Sequence, residues 1–241
     1  MDEFDHLYRT LFTSSDNYIK VVKALSEKRN GYTRNEIAYK TGLSTNGKLT
    51  KILKNLSDSG FIRASLFYGN KKKETVYQLS DYYTSFYFAF VKDKYGVDQN
   101  YWSKAIDNPS RRAWAGLTFE QLCKDHIQQI KNKIGISDVL TEESVWSIRG
   151  DEDLGISGAQ IDMVIDRRDR VINLCEIKYS VKEYVIDKSY DEDLRNKMDS
   201  FVRSTGTNKA VQLVMISTYG VKDNKYSGLI GKQIVLDDLF M

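Results

Sequence analysis

The sequence predicts a mixed α+β chain in two folded parts, and three observations carry that reading. Helical periodicity gives way to strand alternation within the first 80 residues, an aromatic helical stretch fills 81–115, and from Gly116 the pattern becomes helix, apolar strands, helix and strands again. At 241 residues the chain has length for two cores. Boundaries are therefore expected at 1–80, 81–115 and 116–241.

In the first part, Asp16 is placed to cap a helix over YIKVVKALSEK, with Ile19, Val22 and Leu25 on its apolar face and a stop at Asn30-Gly31. Thr33 followed by Glu36 is a capping-box signature for a short second helix that Gly42 ends. A third helix is expected from Ser44 to Ser59, with Leu49, Ile52, Leu53 and Leu56 as its stripe, broken by Gly60. FIRASLFYGNKKKETVYQLS then alternates, turns at Gly69–Lys73 and alternates again. Helices joined by a tight turn and followed by a basic hairpin make a winged helix-turn-helix.

Charge agrees with that reading. Residues 1–80 hold 14 Lys and Arg against 8 Asp and Glu, while the rest holds 22 against 25, so the basic excess belongs to the N-terminal third. A polyanion is the partner this asymmetry suggests. Docking on duplex DNA is expected through the third helix (Asn46, Lys48, Lys51, Lys54) and the wing (Lys71, Lys72, Lys73), chiefly by phosphate contacts. The stretch GLSTNGKL, from Gly42, nearly spells a phosphate-binding loop, but Leu49 stands at the hydroxyl position and the segment follows a helix rather than a strand. No ATP hydrolysis is expected from it.

Tyr82, Tyr83, Phe86, Tyr87, Phe88, Phe90, Tyr95, Tyr101, Trp102 and Trp114 fall in 81–115 at helical spacing, which predicts helices packing into an interdomain core, with a base-stacking platform as the alternative. Pro109 marks a helix start. No apolar run reaches the roughly 20 residues that span a bilayer, and the acidic start is no signal sequence, so a cytoplasmic protein without a membrane partner is expected. Cys123 and Cys175 have no paired spacing and imply neither a disulfide framework nor a thiolate zinc site.

The α/β part reads as one helix over LTFEQLCKDHIQQIKNKIG, a strand near Ser144–Ile148, a hairpin over 161–178, a helix from about Ser189 to Ser204, and strands KAVQLVMIST and KQIVL. The hairpin carries the chemistry. Side chains two apart on a strand share a face, so Glu176 and Lys178 point the same way, and a three-residue tip Arg168-Asp169-Arg170 sets Asp162 opposite Glu176. Two carboxylates so close need something positive between them. Hard oxygen ligands without His or Cys favour Mg²⁺ or Mn²⁺, and Lys178 beside such an ion could hold the attacking water of a phosphodiester hydrolysis. A strand-end salt bridge is the competing explanation. Tyr190, Asp193 and Lys197, on the helix that follows, could approach the site or contact the backbone of a nucleic acid, with an ordinary charged helix face as the competing explanation. His6, His126 and the acidic loop Asp151-Glu152-Asp153 offer no constellation of their own.

The span from Gly158 to Lys178 resembles the core of the PD-(D/E)XK nuclease superfamily, an acid on one strand and E-x-K on the next, and Gly-Leu-Thr-Phe-Glu at 116–120 resembles its first motif. The resemblance implies a restriction-endonuclease-like α/β domain in which Glu120, Asp162 and Glu176 hold metal or water, the Ile177 carbonyl is a further ligand and Lys178 is catalytic. Gln160 stands where relatives carry a second polar or acidic residue. Across nearly the whole chain, FDHLYRTLF, the helix-turn-helix, the aromatic connector, the nuclease-like core and the terminal V-L-D-D-L-F resemble the C-terminal half of archaeal and bacterial AAA-type ATPases, whose nuclease-like domain is of unknown function. An ATPase module, in cis or in trans, is the partner this implies. The function expected is metal-dependent cleavage of DNA; the alternatives are an inactive nuclease-derived DNA-binding module and a winged helix that contacts protein.

Overall fold

The computed structural model describes residues 3–69, 75–92, 102, 108–150 and 158–241. The fold is mixed α+β and divides into two compact units, residues 1–66 with 72–117 and residues 67–71 with 118–241. The aromatic segment thus clusters with the N-terminal unit. The wing-tip lysines Lys71, Lys72 and Lys73, with Tyr95, Tyr101 and the acidic loop 151–153, lie outside the described residues.

The N-terminal unit opens with a helix that periodicity in the first segment did not announce, α1 (Glu3–Leu11), which buries Phe4 and Tyr8. Next, α2 (Ser15–Ser26) starts one residue before Asp16; its cap position is Ser14, in the left-handed region, and no side chain caps it, so Asp16 is a first-turn acid rather than the expected cap. A short strand, β1 (Tyr32–Thr33), leads into α3 (Arg34–Thr41), where the Thr33–Glu36 capping box forms in both directions and Gly42 closes the helix at φ 70°. The third helix of the sequence pattern, α4 (Gly47–Asp58), starts three residues later than expected because Asn46 is its cap, its side chain accepting from the Lys48 N–H. Arg34 Nη2 holds the carbonyls of Thr45 (2.7 Å) and Asn46 (3.1 Å), which pins the turn between α3 and α4.

Strands β2 (Ile62–Phe67) and β3 (Thr75–Leu79) form an antiparallel hairpin, and β1 adds to the outer edge of β3. Gly31, at φ +71°, sits against this edge; a Cβ there would lie 2.3 Å from the Tyr77 carbonyl oxygen. Gly31→Ala is therefore expected to destabilise this unit by more than about 1 kcal/mol, read by urea denaturation, through strained φ and contact with the β3 backbone together. The core of the unit takes Leu49, Ile52, Leu53 and Leu56 from α4, Val21, Val22 and Leu25 from α2, and Phe4 and Tyr8 from α1.

The aromatic segment supplies α5 (Tyr82–Phe86) and one π-helical turn, Tyr87–Val91. Tyr87 stacks on Phe4 at 4.2 Å and Thr84 shares a hydrogen bond with the Tyr8 hydroxyl at 3.0 Å. Phe86, Phe90, Trp102 and Trp114 meet one another at 5.3–5.8 Å. Of this segment, Tyr87 and the partly buried Phe88 join the core of the N-terminal unit.

In the C-terminal unit the single helix expected over 117–135 is two. The helix α6 (Pro109–Asp125) begins at the lone proline and runs through the boundary expected at 116; α7 (Ile127–Ile134) follows a break at His126. His126, which the pattern placed mid-helix, packs its ring edge-on to Phe240 at 5.0 Å. Strands β4 (Thr141–Ile148), β5 (Ala159–Arg167) and β6 (Val171–Lys178) are antiparallel; α8 (Lys188–Thr205) then crosses over to β7 (Ala210–Ser217), parallel to β6, and β8 (Ile230–Val235) runs parallel to β7. Residues 67–71 cluster with this unit, and the Tyr68 N–H donates to the Val145 carbonyl. One face of the sheet packs on Phe119, Cys123, Ile130 and Ile134 of α6 and α7, the other on Leu194 and Phe201 of α8.

Candidate metal and phosphodiester site

The β5–β6 tip is Arg168-Asp169-Arg170, with Arg170 at φ 69° in the left-handed position that a three-residue hairpin loop needs. Its register pairs Asp166 with Ile172, Val164 with Leu174 and Met163 with Cys175. One step further Asp162 meets Glu176, but not as a plain cross-strand pair. On its other side β5 pairs Val164 with Ser144 and Ile161 with Trp146, so Asp162 and Met163 together stand against the single residue Val145. This bulge breaks the alternation: Ile161 and Val164 both join the core on the α8 face, Met163 and Ile165 the core on the α6 face. Released from strict alternation, Asp162 turns its Oδ2 to accept the Ile177 N–H at 2.9 Å.

Glu176 keeps the regular pattern. Ile172 and Leu174 before it pack on the α8 face, and Glu176 extends to the same helix, where the Tyr190 hydroxyl donates to its Oε1 at 3.0 Å. The same oxygen meets Lys178 Nζ and Lys197 Nζ, each at 2.9 Å. Asp187 caps α8 by accepting from the Tyr190 N–H, which sets the start of the helix that carries both partners. Glu120 lies on α6, buried, in an ion pair with Lys124 at 2.7 Å. Gln160 is half-buried on β5 beside Ser147.

Burial decides the electrostatics. Asp162 is 8 % exposed and Glu176 1 %. Burial pushes the Asp162 carboxyl up to about 7, with the neighbouring charges of Glu176 and then Glu120 adding to the rise. Burial also raises Glu176, but Lys178 and Lys197 outweigh it and hold that carboxyl below its ordinary value. Tyr190 is pushed far up by burial and by the Glu176 charge, so it remains a hydroxyl donor. The Lys197 ammonium, despite burial, is held above its ordinary value by Glu176. Cys175 and Cys123 are raised chiefly by burial and stay thiols, inert members of the core.

Among the described residues no three Asp, Glu, His or Cys side chains converge as a metal-holding group. Mg²⁺ needs fewer, one or two carboxylates completed by water and phosphate oxygens. The donor set fits that pattern in one respect that stands on geometry: Glu176 Oε2 is buried and has no hydrogen-bond partner among the described residues. An unpaired buried carboxylate oxygen costs free energy unless a cation or donor meets it. Asp162, Glu176 and the Ile177 carbonyl are the residues that could hold such an ion.

Sequence reasoning missed Lys124, and for Lys197 it offered an approach to the site but favoured an exposed charged face, whereas its Nζ meets Glu176. Both had a signal. Lys124 stands four residues after Glu120 on one helix, the ordinary spacing of an acid–base pair. Lys197 stands two turns after Tyr190, which brings it to the same helix face.

On the N-terminal unit, Lys48, Lys51 and Lys54 are exposed along α4, with Lys54 in an ion pair with Asp58; the Asn46 side chain caps the helix. Among the described residues no helix is long and apolar enough to cross a membrane. Compared with known proteins, the chain matches no family model, no curated protein and no solved structure.

Proposed function

We propose that this chain is a Mg²⁺- or Mn²⁺-dependent phosphodiester hydrolase acting on DNA, built as a winged helix followed by a PD-(D/E)XK-like domain and working beside an AAA-type ATPase in the cytoplasm. The observation that supports it most is a pair of buried carboxylates on adjoining strands, Asp162 on the Ile177 N–H and Glu176 with one oxygen on Lys178 and the other unpartnered among the described residues. Evenly buried acids raise each other's energy and are seldom kept without a task. When bound, the ion would supply charge to polarise the phosphate and activate water. Asp162 and Glu176 orient and hold; Lys178, 30 % exposed at the strand end, offsets charge developing on the phosphate oxygens. Exposed Lys48, Lys51 and Lys54 would track the duplex backbone.

A second reading has its own observation. Glu176 Oε1 is already met by two ammonium groups, as in a site that has settled into an internal ion pair and serves DNA binding alone. Cleavage separates the two. Wild-type protein offered single- and double-stranded DNA with Mg²⁺ or Mn²⁺ is expected to nick it, EDTA to stop it, and Asp162→Ala, Glu176→Ala and Lys178→Ala each to lose at least about 100-fold. Equal cleavage by all four proteins would mark contamination, and none by any would favour the inactive module or a requirement for the ATPase partner.

A further inference from the structure

Lys197 has no place in the hydrolytic role given to Asp162, Glu176 and Lys178, yet it is among the most constrained lysines of the C-terminal unit. It is 16 % exposed, its Nζ lies 2.9 Å from Glu176 Oε1, and Asp193 approaches it at 3.4 Å from the solvent side. Lys178 reaches the same oxygen from β6, its Nζ 5.0 Å from the centre of the Tyr190 ring. Two ammonium groups and one hydroxyl therefore converge on a single carboxylate oxygen, while the other oxygen of that carboxylate has no partner among the described residues. Glu176 thus concentrates two ammonium groups on one oxygen, with Asp193 sharing Lys197 from the exposed side. A lysine ammonium is a compact point charge on a flexible four-carbon stem, so it can leave such a position without moving the backbone.

We infer that Lys197 is an internal stand-in for the divalent cation: it neutralises Glu176 while the site is empty and competes with the ion for that carboxylate, and on loading it is released toward the DNA phosphate. The inference rests on the metal-site reading above and adds a residue and a sign to it. Like charges crowded in a buried site repel strongly, and Lys197, at 16 % exposed against 30 % for Lys178, is the less screened of the two ammonium groups and the one a divalent ion on Glu176 would displace. The displaced amine then needs a new counter-charge, and a phosphate is a natural partner for it. Metal and DNA should accordingly bind with positive coupling, each favouring the arrangement that the other uses.

The sign distinguishes this role from a structural one. A lysine that merely supports the fold would, when removed, weaken everything. A competing lysine, when removed, should tighten metal binding while it weakens DNA binding. The experiment is calorimetric titration of the full chain with Mn²⁺ alone, at low ionic strength, for wild type, Lys197→Met, Lys197→Arg and Asp162→Asn, with circular dichroism confirming that each is folded. Expected are a single Mn²⁺ site in wild type, abolished in Asp162→Asn, roughly ten-fold tighter in Lys197→Met, and of wild-type strength in Lys197→Arg. DNA affinity measured with Mn²⁺ present should fall several-fold in Lys197→Met. Should Lys197→Met not fold, an affinity in Lys197→Gln tighter than in Lys197→Arg carries the same conclusion. Mn²⁺ binding by wild type that is unchanged or weakened in the neutral variant overturns the stand-in role and leaves the metal site intact. No Mn²⁺ binding by wild type at millimolar ion overturns the metal site itself.

Discussion

Asp162→Asn is expected to make the metal-free protein more stable at pH 8, by up to about 4 kcal/mol, and to flatten its pH dependence between about pH 4 and 7. In the unfolded chain this carboxyl loses its proton near 3.8, while in the folded chain burial and the charges of Glu176 and Glu120 hold the proton until about 7. The folded-state value is raised, so the contribution to stability is fully present below about 3.8 and is lost as pH rises through 7. At roughly 1.4 kcal/mol per pH unit, the interval between those values sets the upper limit. Asn keeps a carbonyl oxygen for the Ile177 N–H, so the geometry at the bulge survives the change. Urea denaturation in EDTA at pH 4, 6 and 8 reads the effect. Mn²⁺ should then stabilise wild type but not Asp162→Asn, so the residue that weakens the empty fold is the one that gains from the ion. Equal stability of the two proteins at pH 8 would show that neither burial nor the neighbouring carboxylates penalise the Asp162 charge.

The parts of the fold that were legible in the sequence are those fixed by local chemistry. The Thr33–Glu36 box and Gly42 bounded α3 because cap and stop lie within ten residues of one another. The hairpin register was legible because a three-residue tip with Arg170 in the left-handed region leaves one pairing to the strands beside it. Other features depend on partners far along the chain. The apolar period runs on through His126, so nothing local marks the break between α6 and α7. The α1 helix is held by Phe4 and Tyr8 meeting Tyr87 and Thr84, some 80 residues away.

The same distinction runs through the site. Asp162, Glu176 and Lys178 could be placed near one another from strand periodicity, but the bulge that turns Asp162 toward Ile177 is imposed by β4, whose pairing with β5 shifts by one residue. Lys197 reaches Glu176 only because α8 crosses back over the sheet. Its charge balance had to be read in three dimensions.

Glu176→Ala is expected to cost about 3–5 kcal/mol, the range for removing one partner of a buried ion pair. The cost arises from what remains rather than from what is removed. Without the carboxylate, the Lys178 and Lys197 ammonium groups would lose the counter-charge they share, and the Tyr190 hydroxyl would lose its acceptor. Among the described residues Lys197 would keep only Asp193, at 3.4 Å, and an under-compensated ammonium that is largely buried pulls solvent toward the site. The triple replacement Glu176→Leu, Lys178→Met, Lys197→Met should recover most of the loss, because apolar side chains of similar volume satisfy the same space with no charge to desolvate. Denaturation of the single and triple variants, in EDTA, checks this. A single variant within about 1 kcal/mol of wild type would place the network in the class of solvated surface pairs. A triple variant that is stable yet binds no Mn²⁺ would show that the fold does not need these charges, which leaves function as the reason a buried strand carries them.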